Sequence, residues 1–219
     1  MSVAFFTSLT ISLIKYGRED WRFLGDDYII LSKDGTVYSY PRPFAIYAYH
    51  IPLLSEYFSR ARLKALRLKL AYLLRSKLPI FKRTIVSLLS NIGVTKRLWL
   101  EVNEILPETK IAEKAPLFRV YMLSKTTSPL MEIKRETKEN AVHQMFNVLL
   151  YDLITPYSDV FSVLSNLGFS DLFMILRKHR EIINSALSDV DVFHVSIPSK
   201  LNFIELVELI ERHVKESSI

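Results

Sequence analysis

The sequence predicts an α+β protein in which a small β-rich N-terminal part, residues 1–55, is followed by two related and mostly helical units at 56–137 and 138–219. Three observations support this fold class. The N-terminal part lacks long helical periodicity, whereas apolar residues recur at helical steps through most of the chain from Tyr57 onward. In addition, the segment 66–125 resembles the segment 141–200, which indicates an internal repeat.

The N-terminal part contains short β-rich runs separated by turn residues. The first run is uncharged and alternates apolar with small polar side chains after Phe6, which predicts a strand over Val3–Ile14. The Asp34-Gly35 pair lies between two further β-rich runs and is typical of a hairpin turn. The remaining strands are expected at Tyr28–Ser32, Val37–Tyr40 and Phe44–Ile51.

The rest of the chain is predicted to form helices interrupted by a few strands. The helices are expected near 56–78, 83–92, 95–106, 138–154, 158–167, 170–187 and 201–216. The strands are expected near 116–124, 129–136 and 190–198, and the first two of them are expected to pair as a hairpin.

The composition excludes several kinds of site. The 219 residues include no cysteine, so disulfides, thiolate zinc sites, iron–sulfur clusters and cysteine nucleophiles are ruled out. The uncharged segment Met1–Ile14 has no basic n-region and no small-residue cleavage site, and it is too short to span a bilayer. We therefore expect a cytoplasmic protein with no membrane partner. The single glutamine, Gln144, and the absence of cysteine are typical of a thermophile protein.

Basic residues are concentrated in one block of the chain. Residues 57–100 contain 11 lysines and arginines and no acidic residue, whereas the remainder contains 18 basic and 23 acidic residues. A mildly acidic protein with one basic block attracts polyanions, and phosphate backbones are the commonest polyanions in a cell. The block therefore indicates a nucleic-acid partner.

The first part of the basic block, residues 60–78, is predicted to be an amphipathic helix. Its leucines fall on one face at helical steps and are expected to pack in the core: Leu63, Leu66, Leu70, Leu73 and Leu74. Basic residues occupy the other faces. Two alternatives stay open, a surface helix whose charges only keep it soluble and a helix that binds an anionic membrane. Plain leucine without tryptophan or phenylalanine disfavours the membrane.

The internal repeat aligns residues 66–125 with 141–200 and gives 11 identities in 60 positions. Composition alone would give roughly four identities. The shared segment is a short helix that ends at Gly93 or Gly168, followed by one apolar residue and then Thr95 or Ser170. Glycine can close a helix C-terminus, and a hydroxyl can cap the next helix. Both copies therefore predict a helix-turn-helix corner.

The segment around Gly93 resembles the helix-turn-helix and winged-helix superfamily, with Leu88, Ile92, Val94, Trp99 and Val102 at the positions of core apolar residues. Leu89 departs from the pattern, because the family prefers a small residue there. The resemblance implies that the helix beginning at Thr95 is a recognition helix and that the hairpin 116–136 is a wing. It implies these nucleic-acid-binding residues: Arg60, Lys64, Arg67, Arg75, Lys82, Arg83, Thr95, Lys96, Arg97, Lys125, Lys134 and Arg135.

The second copy differs in chemistry from the first. Its helix begins Ser170-Asp171-Leu172-Phe173-Met174, and an acid followed by large apolar groups is unsuited to a polyanion. Such a surface suits a protein interface or buried packing. We therefore expect the first unit to bind nucleic acid and the region 170–187 to hold the fold, a second copy of the chain or a partner protein.

Catalytic motifs are weak in this sequence. The phosphate-binding, nucleophile-elbow and zinc-protease motifs are absent, and the five histidines are scattered, so neither a catalytic residue nor a cofactor or metal is expected. Glu132 and Lys134 resemble half of a metal-dependent nuclease signature, but the preceding strand lacks the required aspartate. The expectation is a non-enzymatic protein that binds nucleic acid, duplex DNA before RNA. The alternative is a structural or adaptor subunit of a larger ribonucleoprotein assembly.

Overall fold

Helices and short strands alternate along the chain in the computed structural model, which describes residues 3–17, 21–26, 28–77, 97–151, 155–168, 171–198 and 203–216. The helices are α1 (Val3–Tyr16), α2 (Ser55–Arg60), α3 (Arg62–Lys77), α4 (Val102–Ile105), α5 (Lys138–Leu149), α6 (Ser158–Asn166), α7 (Leu172–Ala186) and α8 (Phe203–Glu216). The strands are β1 (Ile30–Leu31), β2 (Thr36–Tyr38), β3 (Phe44–Ile46), β4 (Leu98–Leu100), β5 (Lys114–Pro116), β6 (Arg119–Thr126), β7 (Glu132–Arg135) and β8 (Asp191–Pro198). The protein is therefore a mixed α+β protein, as predicted.

The chain forms two compact units, and each unit is assembled from separate stretches of sequence. Unit 1 comprises Met1–Tyr28, Tyr40–Ala112 and Asn202–Ile219. Unit 2 comprises Ile29–Ser39 and Glu113–Leu201. The predicted boundary at 55/56 lies inside unit 1, and the predicted boundary at 137/138 lies inside unit 2.

Unit 1 packs helices around the two-stranded sheet of β3 and β4. α1 packs against α8 and β3, and α3 packs against α2 and the 3₁₀ turn Ala48–His50. The core is built around Phe44, which is fully buried and meets Phe23 edge to face with ring centroids 5.7 Å apart. Leu68 of α3 and Leu100 of β4 belong to the same core cluster.

Unit 2 contains two three-stranded sheets and the helices α5, α6 and α7. One sheet has the order β1-β2-β5 and the other the order β6-β8-β7. β6 pairs in parallel with β8 along its whole length, and β7 pairs antiparallel with the other edge of β8. A parallel pair needs a long crossover, which α5, α6 and α7 provide. The core joins Ala141 and Val142 of α5, Ile183 of α7 and Val192 of β8.

Several elements confirm the sequence predictions. The β1–β2 hairpin turns at Gly35, whose φ of 79° favours glycine, and its amide donates to the Ser32 carbonyl. The helices α5, α6, α7 and α8 and the strand β8 lie where the periodicity placed them. α6 ends at Gly168, with φ of 74°, as predicted for a helix C-terminus. The carboxylate of Asp171, rather than Ser170, caps α7 by accepting from Phe173 and Met174 amides.

The predicted strand Val3–Ile14 is wrong, because this segment is the helix α1. The alternation of small polar and apolar residues favoured a strand, but packing against α8 and β3 buries Leu9, Ile11 and Ser12 on a helix. Tertiary packing of this kind commonly overrides β-propensity. α1 ends at Gly17, whose amide donates to the Leu13 carbonyl and where a Cβ would lie 2.3 Å from that oxygen.

The predicted recognition helix 95–106 is wrong over the residues that the structure describes. Leu98–Leu100 form β4, which pairs antiparallel with β3 so that Trp99 lies opposite Ala45. Only Val102–Ile105 are helical. The partner strand β3 is distant in the sequence, so local periodicity gave no sign of this pairing. The internal repeat aligns residues 98–100 with residues 173–175. The first segment is a strand and the second lies in the helix α7, so the two copies differ in structure here.

The predicted hairpin 116–136 is also wrong. β6 and β7 are strands, but they do not pair with each other, because β8 lies between them in the sheet. A strand from the far end of the sequence therefore occupies the position that the hairpin would need. The predicted turn at 124–129 instead contains the last three residues of β6 and part of the connection 127–131 to β7, so it does not form the tip of a wing.

Candidate nucleic-acid interface

The candidate interface lies on α2 and α3, at the start of the basic block. α2 ends at Ala61, whose φ of −105° and ψ of 46° break the helical path, and α3 begins at Arg62. No acidic residue occurs between Glu56 and Glu101, so every ionic side chain of α3 is basic. The alanine, leucine, lysine and arginine composition of α3 favours a helix throughout.

Five described basic side chains of these two helices are exposed: Arg60, Arg62, Lys64, Arg67 and Lys69. Among the described residues, none of the five forms an ion pair with a carboxylate. Three of these positions were predicted as binding residues, and Arg62 and Lys69 were recognised as basic without being included. Exposed cations on several faces of a helix that contains no acidic residue produce a positive potential around that helix.

Lys64 is anchored by Tyr57. Its ammonium donates to the Tyr57 hydroxyl at 2.9 Å and lies 5.6 Å from the centre of that ring. This hydrogen bond, with the nearby Glu104 carboxylate as a smaller cause, raises the pKa of Lys64. The lysine therefore stays protonated at physiological pH. Tyr57 lies on α2 and Lys64 on α3, so their contact depends on the break at Ala61 and could not be predicted from helical spacing.

Four of the five leucines predicted as the core face of this helix are exposed, which is a correction, and the side chain of Leu74 lies outside the described part. Leu63, Leu66, Leu70 and Leu73 are 73%, 62%, 42% and 50% exposed. The helix buries Leu68 and Ala71 on its other side, and Leu68 is 1% exposed. Small residues at Ala65 and Ala71 allow that side of α3 to approach α2 and the 3₁₀ turn closely, since they present little bulk.

Arg97 lies immediately before β4, and its guanidinium stacks over the ring of Trp99 at 4.5 Å. Trp99 is 52% exposed, because β4 alternates and directs Leu100 into the core. Arg97 is exposed as predicted, but it precedes a strand and not a recognition helix. An arginine held over an indole can still offer its N–H groups to phosphate while the ring offers a stacking surface.

The predicted wing residues lie in unit 2 and are engaged elsewhere. Lys134 forms an ion pair with Glu132 at 2.9 Å, and Arg135 forms one with Asp191 at 3.0 Å. Lys125 is exposed on β6. Pairing with carboxylates partly neutralises Lys134 and Arg135, so both are weaker phosphate ligands than the exposed arginines of α3.

The structure does not describe the side chains of the other predicted binding residues. Lys82, Arg83, Thr95 and Lys96 lie outside the described residues, as does the predicted helix 83–92. Arg75 lies on α3, but its side chain also lies outside the described part. Unit 1 therefore brings together Arg60, Lys64 and Arg67 from the predicted set.

An aromatic cluster beside α3 was not predicted as part of the site. Tyr47 and Tyr49 stack with ring centroids 5.4 Å apart, and Tyr49 meets the buried His50 ring at 4.4 Å. Partial burial, with Tyr47 as a smaller cause, raises the pKa of Tyr49 to about 12. The phenol therefore stays neutral and does not oppose the basic charges. The closely spaced Tyr47 and Tyr49 are the sequence signal that could have indicated this cluster.

Histidine, aspartate, glutamate and serine are among the side chains of this chain that could take part in metal or acid–base chemistry. No group of three or more histidine, aspartate or glutamate side chains in the described part of the chain could hold a metal ion. Ser124 Oγ and His194 Nε2 lie 2.6 Å apart on the adjacent strands β6 and β8. No carboxylate among the described residues hydrogen-bonds to the other ring nitrogen of His194, so the pair lacks the group that orients a catalytic histidine.

The described helices are each too short or too polar to cross a lipid bilayer. No protein-family model, curated protein or solved structure matches the chain.

Proposed function

We propose that this chain is a non-enzymatic nucleic-acid-binding protein that contacts phosphates through α2 and α3, with duplex DNA as the favoured ligand and RNA as the second. One observation carries the proposal: Arg60, Arg62, Lys64, Arg67 and Lys69 are all exposed on helices that contain no acidic residue after Glu56. Exposed lysine and arginine side chains on helices without neighbouring acidic residues neutralise backbone phosphates and release condensed counterions.

The proposed binding mode is backbone contact and not insertion of a recognition helix. Phosphate contacts position a protein on nucleic acid but carry no sequence information directly. Since β4 replaces the predicted recognition helix over Leu98–Leu100, the described residues offer no helix at that position to read base edges. We therefore expect weak sequence preference. Trp99, exposed beside Arg97, adds a surface on which an unpaired base could stack.

A second candidate function is that of an adaptor subunit in a larger assembly, and one observation favours it. Phe173 and Met174 at the start of α7 are 84% and 60% exposed, and Leu167, just after α6, is also exposed. Apolar side chains of this size at one surface are typical of protein contacts. The two functions are compatible, because the exposed residues of α7 belong to unit 2 and the basic residues of α3 belong to unit 1.

The proposal is tested by the salt dependence of binding. If three to five of the basic side chains contact phosphates, a plot of log affinity against log salt should have a slope of about −3 to −4.5. Affinity for a short duplex should then fall by about a hundredfold or more between about 50 and about 300 mM NaCl. Fluorescence anisotropy with duplex DNA, single-stranded DNA and structured RNA measures this fall and ranks the ligands.

The same titrations separate the two functions. Affinity that is unchanged by salt, or absence of binding to all three nucleic acids at low salt, would contradict the proposed function. A stable complex with a protein partner under those conditions would then favour the adaptor.

A further inference from the structure

One side of α3 presents apolar side chains to solvent. Leu63, Leu66 and Leu70, here called the leucine stripe, are 73%, 62% and 42% exposed. At about 100° per residue the stripe occupies an arc of about 60°, on the opposite side of the helix from the buried Leu68. The stripe extends about 10 Å along the helix. α3 therefore has two apolar faces, and only the smaller one packs in the core of unit 1.

Basic side chains border the leucine stripe on both sides. Arg62 and Lys69 lie along one edge and Arg67 along the other, and all three are exposed. α3 contains no acidic residue. The sequence disfavours a membrane on the expectation that these leucines pack in the core, but they are exposed, with cations on both sides of the stripe. This arrangement is typical of a helix that lies in the plane of an anionic membrane surface.

Other occupants match this surface less well. Nucleic-acid phosphates can bind the cations but offer no apolar surface against which the leucines could pack. A second copy of α3 would cover the leucines but would bring Arg62, Arg67 and Lys69 close to the same cations of its partner, which repel them. An anionic bilayer satisfies both features, because acyl chains accept the leucines while headgroup phosphates accept the cations.

We propose that α3 docks on an anionic lipid surface, with the leucine stripe inserted at the boundary between headgroups and acyl chains and with Arg62, Arg67 and Lys69 on headgroup phosphates. Docking is peripheral and reversible. The same cations serve the proposed nucleic-acid function, so duplex DNA and anionic vesicles should compete for the protein. Only the bilayer contacts the leucine stripe, so substitutions in the stripe distinguish lipid binding from nucleic-acid binding.

The test is co-sedimentation of the full chain with vesicles of phosphatidylcholine alone or with about one-third phosphatidylglycerol. The wild-type chain should bind the anionic vesicles and not the neutral ones. The triple variant Leu63→Gln, Leu66→Gln, Leu70→Gln should lose binding by more than about tenfold, because its apolar insertion is removed. The control Leu130→Gln changes an equally exposed leucine on unit 2 and should bind like wild type.

A second measurement uses Leu66→Trp. Its added tryptophan should show a blue-shifted emission with anionic vesicles, beyond any change of the wild-type chain, because the indole enters the interface. Failure of the wild-type chain to bind anionic vesicles, or no shift for Leu66→Trp, would overturn the proposal. Failure to bind anionic vesicles is also the result expected if the partner of α3 is an acidic protein.

The outcomes for lipid and nucleic acid are independent. Vesicle binding that persists when duplex binding is absent would leave the lipid proposal standing and contradict the proposed function. If the triple glutamine variant loses vesicle binding but keeps duplex binding, the result would support both the lipid proposal and the proposed nucleic-acid function. Equal vesicle binding by the triple variant and wild type would overturn the lipid proposal alone.

Discussion

Replacing Leu68 with alanine should lower the free energy of unfolding of unit 1 by about 2–5 kcal/mol, whereas the same replacement at Leu66 should change it by less than about 0.5 kcal/mol. The two leucines lie close together on α3, with the same helix propensity. Leu68 is 1% exposed and belongs to the core cluster with Phe58 and Leu100, and Leu66 is 62% exposed. The difference therefore comes from the cavity that a buried leucine leaves.

Urea unfolding monitored by tryptophan fluorescence measures this difference. Both tryptophans, Trp21 and Trp99, belong to unit 1, so their emission reports the unit that contains α3. The Leu66→Ala variant is the matched control, because it makes the same chemical change on the same helix. Equal losses at the two positions, or a larger loss at Leu66, would mean that the leucine stripe is buried. The proposed lipid contact would then have no basis.

α3 shows that a sequence pattern can predict a helix and yet fail to predict which of its faces is buried. The periodicity correctly predicted a helix over these residues and correctly placed arginines and lysines on its surface. It selected the wrong buried face, because a stripe of leucines has the same spacing whether it packs on a core or lies open. The small residues Ala65 and Ala71, which mark the packed side beside Leu68, are a weaker signal than four leucines.

Long-range strand pairing accounts for the other differences. β4 is defined by its pairing with β3, and β7 by its pairing with β8, and neither partner is near in sequence. Local propensity cannot indicate such partners, since strand formation depends on the neighbouring strand. β8 itself was predicted correctly, because its buried residues Val192, Val195 and Ile197 form an apolar run with strand-favouring residues.

Part of the site could have been predicted more closely from the sequence. Glu132 and Lys134 are alternate residues of one strand, so they share a face and can pair. That spacing would have removed Lys134 from the binding set. The pair of Arg135 with Asp191 could not have been foreseen, because it depends on the antiparallel register of β7 and β8. The stacking of Arg97 on Trp99 depends on β4, which pairs with the distant strand β3, so it was not foreseen either.

Reversing four cations of α2 and α3, with Arg60, Arg62, Arg67 and Lys69 all changed to glutamate, should reduce affinity for duplex DNA by about a thousandfold or more at low salt. Each lost phosphate contact releases about one counterion fewer, so the salt dependence should also become shallower by about one power of salt per contact. Anisotropy titrations at several salt concentrations measure both effects. Circular dichroism and urea unfolding establish that the variant is folded, as expected since all four side chains are exposed.

The matched control reverses four cations elsewhere, Lys178 and Arg180 on α7 and Arg212 and Lys215 on α8. It changes the net charge of the chain, +6 at neutral pH, by the same amount. If binding depended only on net charge, both variants would lose affinity equally, and α3 would not be the interface. A loss confined to the first variant would instead mean that the geometry of the acid-free helix determines binding, because long-range repulsion of the polyanion is the same in both chains.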